Sequence, residues 1–449
     1  MDNLLLDVAT RAGRYLREMD QRSVAPAPEA LKNLAELDEP LPAGPTSAGC
    51  VLEMLDRLGS PATAVTAGRR FYGFVHGGAL PAALAANWLV GAWDQNAGLW
   101  ISSPIGAALE EITSRWLLDV LRLPPECGCG FVTGATMANF TALAAARSAV
   151  LEQAGWDVEA EGLSGAPPVS VVVSEESHPS VLKSLSLLGL GRRRVLAVPT
   201  DSAGRIRVRQ FPKLTPPAIV CVQAGNVNTG SIDPVGEISA LAHANGAWVH
   251  VDGAFGLWAA ACPSLAHLVA GVEQADSWAT DAHKWLNVPY DSGLAFVRDA
   301  RALHRAMALS AAYIPVAEHR DPGMFTPELS RRARGVEIWA ALRSLGRSGL
   351  ADLIERTCAH ARKFAEGLRN AGCEILNDVV LNQVLVSFGD PDTTQRVIDR
   401  IQQGGTCWCG VTKWQGRVAM RISVCNWATT EDDVNRSLDA MLTAKRRLG

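Results

Sequence analysis

Cysteine is scarce, 10 residues in 449, too dilute for a scaffold stapled by disulfides and in keeping with a reducing, cytoplasmic compartment. Two pairs, Cys127/Cys129 and Cys407/Cys409, have one intervening residue each, no histidine nearby and no second pair at zinc-finger spacing. No metal site is expected from them, and small buried or loop thiols are the plainer reading. Long basic runs are missing too. None is longer than the three arginines Arg192 to Arg194, and 42 basic against 46 acidic residues leave a net charge of −4, so no surface is laid out to track a phosphate backbone and nucleic acid is not an expected partner. No uncharged apolar stretch reaches the roughly 20 residues of a membrane span. The N-terminal stretch mixes Asp2, Arg11, Arg14, Arg17 and Glu18 among its apolar residues, unlike the apolar block of a signal peptide. A Gly-x-Gly-x-x-Gly turn after an early strand is absent, which removes a dinucleotide-binding oxidoreductase. No internal repeat is visible.

What remains is an ordinary globular composition, 48% hydrophobic and 20% charged with 40 glycines and 24 prolines. At roughly 150 residues per domain the length suits about three domains, or one large α/β body with a smaller one appended. Residues 1–75 hold a short amphipathic stretch, a proline-rich passage from Pro26 to Pro45 and a helical piece near Val51 to Leu58. Such a segment cannot make a core alone and is expected to be an arm lying across another surface. In residues 76–330, Val171–Val173, Val195–Val198, Ile219–Val222, Trp248–Val251 and Leu294–Val297 are short apolar, β-branched runs separated by helices. Runs apolar throughout are strands buried on both faces, hence a mainly parallel central sheet with its ligand at the carboxyl edge. Residues 331–449 change texture, with helices over Gly335–Leu345, Leu350–Asn370, Thr393–Ile401 and Thr430–Leu448 and strands over Gln383–Phe388 and Val418–Val424. That predicts a small α+β domain.

The chemistry concentrates at that edge. Asp252 ends the run Trp248-Val249-His250-Val251, and Lys284 follows 32 residues later in Asp281-Ala282-His283-Lys284-Trp285. A crossover helix near Leu265 to Gly271 would bring both to adjacent strand ends. A lysine and a carboxylate so placed suit pyridoxal phosphate: the lysine forms a Schiff base with the aldehyde, and the carboxylate keeps the pyridine nitrogen protonated, making the ring an electron sink. Either residue alone is more often a surface lysine or a turn former. Phe131-Val132-Thr133-Gly134-Ala135-Thr136 reads as strand, glycine turn and helix opening, an N-terminus suited to a phosphate; the bland alternative is Thr136 capping a helix. His178 follows the strand Val171–Val173 and precedes a helix opened by Pro179, so its imidazole is placed to stack on a cofactor ring and bond a substrate carboxylate. Its bland alternative is a surface helix cap.

Together these stretches resemble the group II pyridoxal-phosphate-dependent decarboxylases, the family of aromatic amino-acid, glutamate and histidine decarboxylases, over about Phe71 to Leu350 and again at Arg421–Thr430. The resemblance implies a fold-type-I homodimer with active sites at the subunit interface and the arm wrapping the partner. It implies Lys284 as the Schiff-base residue, Asp252 as the pyridine partner and His178 as the stacking residue, these three being catalytic. Ala135 and Thr136 would bind phosphate, with Asp281 and His283 as further cofactor contacts and Phe74 and His76 bordering the substrate. The implied reaction removes the α-carboxylate of an L-amino acid as carbon dioxide and leaves an amine.

Two departures stand out. The family's Gly-Thr-Thr turn appears here as Gly225-Asn226-Val227, so Val227 cannot offer a hydroxyl to the cofactor's phenolic oxygen, and Asn226 or Asn228 is expected to substitute. In the family a mobile loop carries a tyrosine that protonates the carbanion. Here Ile314 to Ser330 contains no tyrosine; Tyr313 sits at its start, His319 and Phe325 lie nearer its middle, and Gly323 is its only glycine. Slower protonation would open an oxidative, aldehyde-forming outcome. An aldolase or aminotransferase would share Lys284, Asp252 and the phosphate turn without releasing carbon dioxide. Trp88, Trp93, Trp100 and Phe74 suggest an aromatic pocket, but an aromatic stretch on helices is more often core, and Arg331, Arg332 and Arg334 suit either an acidic substrate group or a helix end and the dimer surface.

Overall fold

The structure, a computed structural model, describes residues 2–309 and 318–448. It divides into two compact units, one of Gly77–Arg362 with Asn377–Gln383 and one of Met1–His76, Lys363–Leu376 and Val384–Gly449. In this division the first 76 residues fall with the smaller unit, and the larger one runs on to Arg362.

The larger unit is built on seven strands, β1 (Gly128–Val132), β2 (Ser170–Ser174), β3 (Leu196–Val198), β4 (Ala218–Gln223), β5 (Trp248–Asp252), β6 (Ser277–Asp281) and β7 (Gly293–Val297), in the order β1-β7-β6-β5-β4-β2-β3. β7 runs antiparallel to both neighbours; β6, β5, β4, β2 and β3 are mutually parallel. Every residue of β1, β4, β5, β6 and β7 is buried, as expected of strands covered on both faces. The alanine-rich helix Ala135–Gln153 is buried along most of its length, and its small side chains let it lie close against the strands. Its start is tighter still: a Cβ on Gly293 would come within 2.4 Å of the Gly134 Cα.

Three readings change. The run Val195–Val198 gives the edge strand β3, whose first two residues, Leu196 and Ala197, are exposed, because among the described strands β3 pairs only with β2. The crossover between β5 and β6 is no α-helix but three short 3₁₀ turns, Gly256–Ala261, Ala266–Val269 and Val272–Gln274; adjacency of the two strands holds nonetheless. β6 itself was hidden in the sequence by its polar residues Ser277, Thr280 and Asp281.

The smaller unit carries β8 (Glu374–Ile375), β9 (Gln383–Ser387), β10 (Gly410–Trp414) and β11 (Arg417–Ser423) in the order β10-β11-β9-β8. β10 and β11 form a hairpin whose two turn residues, Gln415 and Gly416, both have positive φ, the conformation that matches strand twist. Helix Pro391–Gly404 is capped by Asp390, and Glu431–Arg446 opens with a Thr430/Asp433 capping box. The N-terminal residues are tied in by Arg70, buried, which ion-pairs with Asp433 at 3.1 Å and donates to the Thr406 carbonyl at 2.8 Å. Helix Gly335–Asn370 breaks at Gly346, φ 59°, where the sequence predicted two helices.

Candidate active site

Lys284 stands three residues past β6, and its Nζ lies 2.7 Å from Asp281 Oδ2. The other oxygen of Asp281 accepts from the Ala135 N–H at 2.5 Å, the first donor of helix Ala135–Gln153, and lies 3.4 Å from His283 Nε2. One carboxylate thus joins the lysine to the helix N-terminus. His283 Nδ1 accepts from the Ser292 N–H at 3.1 Å and the ring stacks on Tyr290 at 4.2 Å. Burial lowers the His283 pKa while the Asp281 charge opposes it, so the neutral ring keeps its proton on Nε2, facing Asp281. The lysine backbone is fixed by its neighbours: Trp285 Nε1 donates to Thr357 Oγ1 at 2.9 Å, and a Cβ on Gly77 would meet the Lys284 carbonyl oxygen at 1.8 Å, so that segment crosses against it.

Asp252 is the last residue of β5, in register with Gln223 of β4 and Ala279 of β6. It is buried; Ala254 N–H donates to its Oδ1 at 3.2 Å and Asn139 Nδ2 to its Oδ2 at 3.3 Å. Burial pushes its pKa up, and its electrostatic interactions with His178 and Lys284 and these hydrogen bonds pull it back. His178 does cap helix Pro179–Leu187, its Nδ1 accepting from the Ser180 N–H at 3.2 Å, and the same imidazole is close enough to Asp252 to interact with it electrostatically. Thr136 is not the cap of its helix; that position is Gly134, and Thr136 sits in the first turn with its carbonyl accepting from Ser184 Oγ at 3.0 Å.

In the turn after β4, Asn226 Oδ1 accepts from the Asn228 and Thr229 N–H groups at 2.9 and 3.2 Å. Its Nδ2 and the Nε2 of Gln223 are buried donors without a partner among the described residues, a costly condition unless a ligand supplies the acceptor. Gln223 was missed in the sequence, as were Asn139, Ser180 and His250; a polar residue inside an otherwise apolar run was the available signal. Phe74 and His76 fall in the smaller unit, where Phe74 is 58% exposed and stacks on Trp408 at 5.2 Å.

The three arginines are engaged internally. Arg331 pairs with Glu110 at 2.6 Å and donates to the Phe131 carbonyl at 2.7 Å, Arg332 pairs with Glu337 at 2.7 Å and Arg334 with Asp291 at 2.9 Å. Trp88 and Trp93 are 45% and 41% exposed, not core, while Trp100 stacks on His319 at 4.0 Å. Tyr313 and residues 314–317 of the loop lie outside the described residues. Phe325 is packed beneath the Arg320 guanidinium at 4.2 Å, and Gly323 is buried with its N–H on the Gly98 carbonyl at 2.7 Å, so neither is a free loop tip.

The profile of the pyridoxal-dependent decarboxylase conserved domain matches residues 28–389. The chain belongs to that family. It is a pyridoxal-phosphate-dependent amino-acid decarboxylase, a carboxy-lyase, and the oxidative, aldolase and aminotransferase alternatives are not favoured. The L-2,4-diaminobutyrate decarboxylase of Rhizobium meliloti is 30% identical over 442 residues, 94% of this chain and 86% of that protein. The aromatic-L-amino-acid decarboxylase of Bacillus atrophaeus is 26% identical over 387 residues, 81% and 78% of the two chains. Among solved structures, Oryza sativa TDC with PLP and tryptamine superimposes with a TM-score of 0.90 at 21% identity, covering 99% of this chain and 97% of that one. The decarboxylase's own residues fit the cofactor. An amine and a carboxylate stand at neighbouring strand ends, two orphaned amide donors lie at the end of β4 and in the turn after it, and a helix N-terminus stands beside the lysine.

Proposed function

We propose that Lys284 is the attachment point of pyridoxal phosphate, Asp252 the partner of its ring nitrogen and His178 the imidazole that faces ring and substrate carboxylate. Thr136 binds the phosphate at the helix N-terminus with the small Ala135 beside it, Asp281 and His283 are further cofactor contacts, and Asn226 and Asn228 serve the phenolic oxygen. The observation that carries this reading is the position of Asp252 and Lys284 at and just beyond the carboxyl ends of adjacent parallel strands, each within electrostatic reach of the other. The cofactor, when bound, supplies a pyridinium that accepts the electron pair released as carbon dioxide leaves an L-amino acid. Asp252 supports the positive nitrogen because its hydrogen bonds and the nearby Lys284 ammonium counter the burial that favours its neutral form. Asp281 holds the Lys284 ammonium at 2.7 Å and can take a proton from Nζ, which frees the amine to react. With Ala135 N–H already on Asp281, Thr136 is the first residue of that helix able to serve an anion.

Phe74 and His76 are proposed as substrate contacts. Residues 1–75 are proposed as a dimer-wrapping arm and 76–330 as the cofactor-binding domain of a homodimer, supported by exposed Leu5, Leu6 and Leu41 in the arm and exposed Trp88, Leu89 and Trp93 on helix Pro81–Trp93. A cytoplasmic location is supported by ten free cysteines, and no described helix is long and apolar enough to cross a membrane.

The test is a screen of the common L-amino acids with added pyridoxal phosphate, following carbon dioxide and amine in air and under nitrogen. The expected result is carbon dioxide and amine in equal amounts, independent of oxygen, and no turnover by a folded Lys284→Ala protein. Turnover that survives Lys284→Ala would refute the assignment of the lysine, and peroxide with aldehyde in air would replace the simple reaction by an oxidative one.

A further inference from the structure

One buried amide in the larger unit reaches both sides of the site. Asn139 lies in the second turn of helix Ala135–Gln153, fully buried among alanines and apolar side chains, where an unpaired amide would be costly. All of its hydrogen-bonding atoms are engaged. Nδ2 donates to Asp252 Oδ2 and to Ser180 Oγ, both at 3.3 Å, and Oδ1 lies 2.8 Å from Nε2 of the equally buried His250.

The directions of these bonds follow from valence. An ionised carboxylate only accepts, so the Asn139 NH₂ faces Asp252 and its carbonyl faces His250. His250 therefore carries its proton on Nε2 and presents the Nδ1 lone pair to Ser277 Oγ at 2.9 Å. Burial supports this neutral form, lowering the His250 pKa to about 3. Ser277 Oγ in turn receives the Trp248 Nε1–H at 2.9 Å. Ser180 accepts from Asn139, so its own proton goes to His178 Nδ1, 2.7 Å away, and a neutral His178 then keeps its proton on Nε2. Every donor from Trp248 through Ser277 and His250 to Asn139 points toward the site, where the chain forks onto Asp252 and, by way of Ser180, onto His178. Chains of this kind polarise in one direction and resist partial rearrangement.

We infer that Asn139 is a positioning residue for the decarboxylase: a single amide, oriented by His250, fixes the Asp252 carboxylate and through Ser180 the His178 imidazole, so the two groups are set together. The inference rests on the proposed assignment of those two groups to the cofactor ring.

Asn139→Leu keeps the side-chain volume and removes all three bonds; Ser180→Ala cuts only the branch to His178. Each apoprotein is titrated with pyridoxal phosphate by quenching of tryptophan fluorescence, circular dichroism of the bound cofactor reports its orientation, and kcat and KM are measured at saturating cofactor. Loss of a hydrogen bond to an ionised group predicts cofactor affinity lowered roughly ten- to hundredfold in Asn139→Leu, with a weaker dichroic band. Ser180→Ala should keep its cofactor affinity and lose on the order of tenfold in kcat with KM little changed. Adding Ser180→Ala to Asn139→Leu should cost nothing further, because the serine acts downstream of the amide. A folded Asn139→Leu protein with unchanged affinity and dichroism overturns the inference, as does full additivity of the two changes. If Asn139→Leu does not fold, an unchanged kcat in Ser180→Ala overturns it instead. Failure of the wild type itself to bind pyridoxal phosphate is a different result and overturns the underlying site assignment.

Discussion

At the scale of single residues, the site depends on groups whose charge state is set by burial more than by their own chemistry. His250 shows this most directly. Its pKa is lowered to about 3 by burial, whereas an imidazole in the unfolded chain titrates near 6.5. Between those values the unfolded chain holds a proton that the folded chain refuses. The stability from the neutral ring is therefore complete above about pH 6.5 and falls as the pH drops toward 3, at about 1.4 kcal/mol per pH unit. Asp233, raised to about 6 by burial, acts in the opposite sense, but it is present in both proteins of a wild-type and variant pair. Urea unfolding at pH 7 and pH 5 should accordingly show the wild type losing roughly 2 kcal/mol more than His250→Gln over that interval. Equal losses would mean that His250 is not held neutral in the folded chain.

At the scale of elements, the segment that follows residues 310–317 is held by charge and not by apolar packing alone. Arg331 and Glu110 are both buried and pair at 2.6 Å; Arg320 approaches the other Glu110 oxygen at 3.5 Å and also donates to the Cys129 carbonyl of β1. These contacts tie the segment to helix Pro104–Val120 and to the strand that leads into Gly134. Arg331→Leu leaves the carboxylate of Glu110 buried without its main partner and should destabilise the fold by about 3–5 kcal/mol, seen as a lower urea midpoint. Glu110→Leu in the same chain should recover a large part of that loss, because two apolar side chains replace the pair. A single variant as stable as the wild type would show that the pair contributes nothing. The arginines were legible as a cluster, yet the partner of Arg331 was not, since Glu110 lies more than 200 residues away in sequence.

At the scale of the whole molecule, helix Pro81–Trp93 buries Ala83, Ala86 and Val90 and presents Trp88, Leu89 and Trp93 outward. Large apolar side chains grouped on one exposed face call for cover, and a second copy of the chain is the proposed cover. Sedimentation equilibrium should give about twice the 47.8 kDa chain mass. Trp88→Glu with Leu89→Glu should shift the species toward the monomer and lower turnover with it, because an interface without charge complementarity loses affinity when acids enter its apolar centre. A wild type that sediments as a monomer would remove the dimer.

The sequence by itself determined the buried parallel sheet, the strand end at Asp252, the lysine segment 281–285 and the family. Each of these is local: an apolar run of strand length, a glycine turn before a helix, a short motif. It also placed the break near Gly346. Tertiary structure alone decided the rest: that Asp281 occupies the first donor of the helix proposed to hold the phosphate, that Arg331 spends its charge internally on Glu110, that residues 1–76 join the smaller unit, and that Asn139, Ser180 and His250 meet behind Asp252. Those partners lie tens to hundreds of residues apart in sequence. A hydrogen bond is specified by positions in space, and periodicity along the chain carries no record of them.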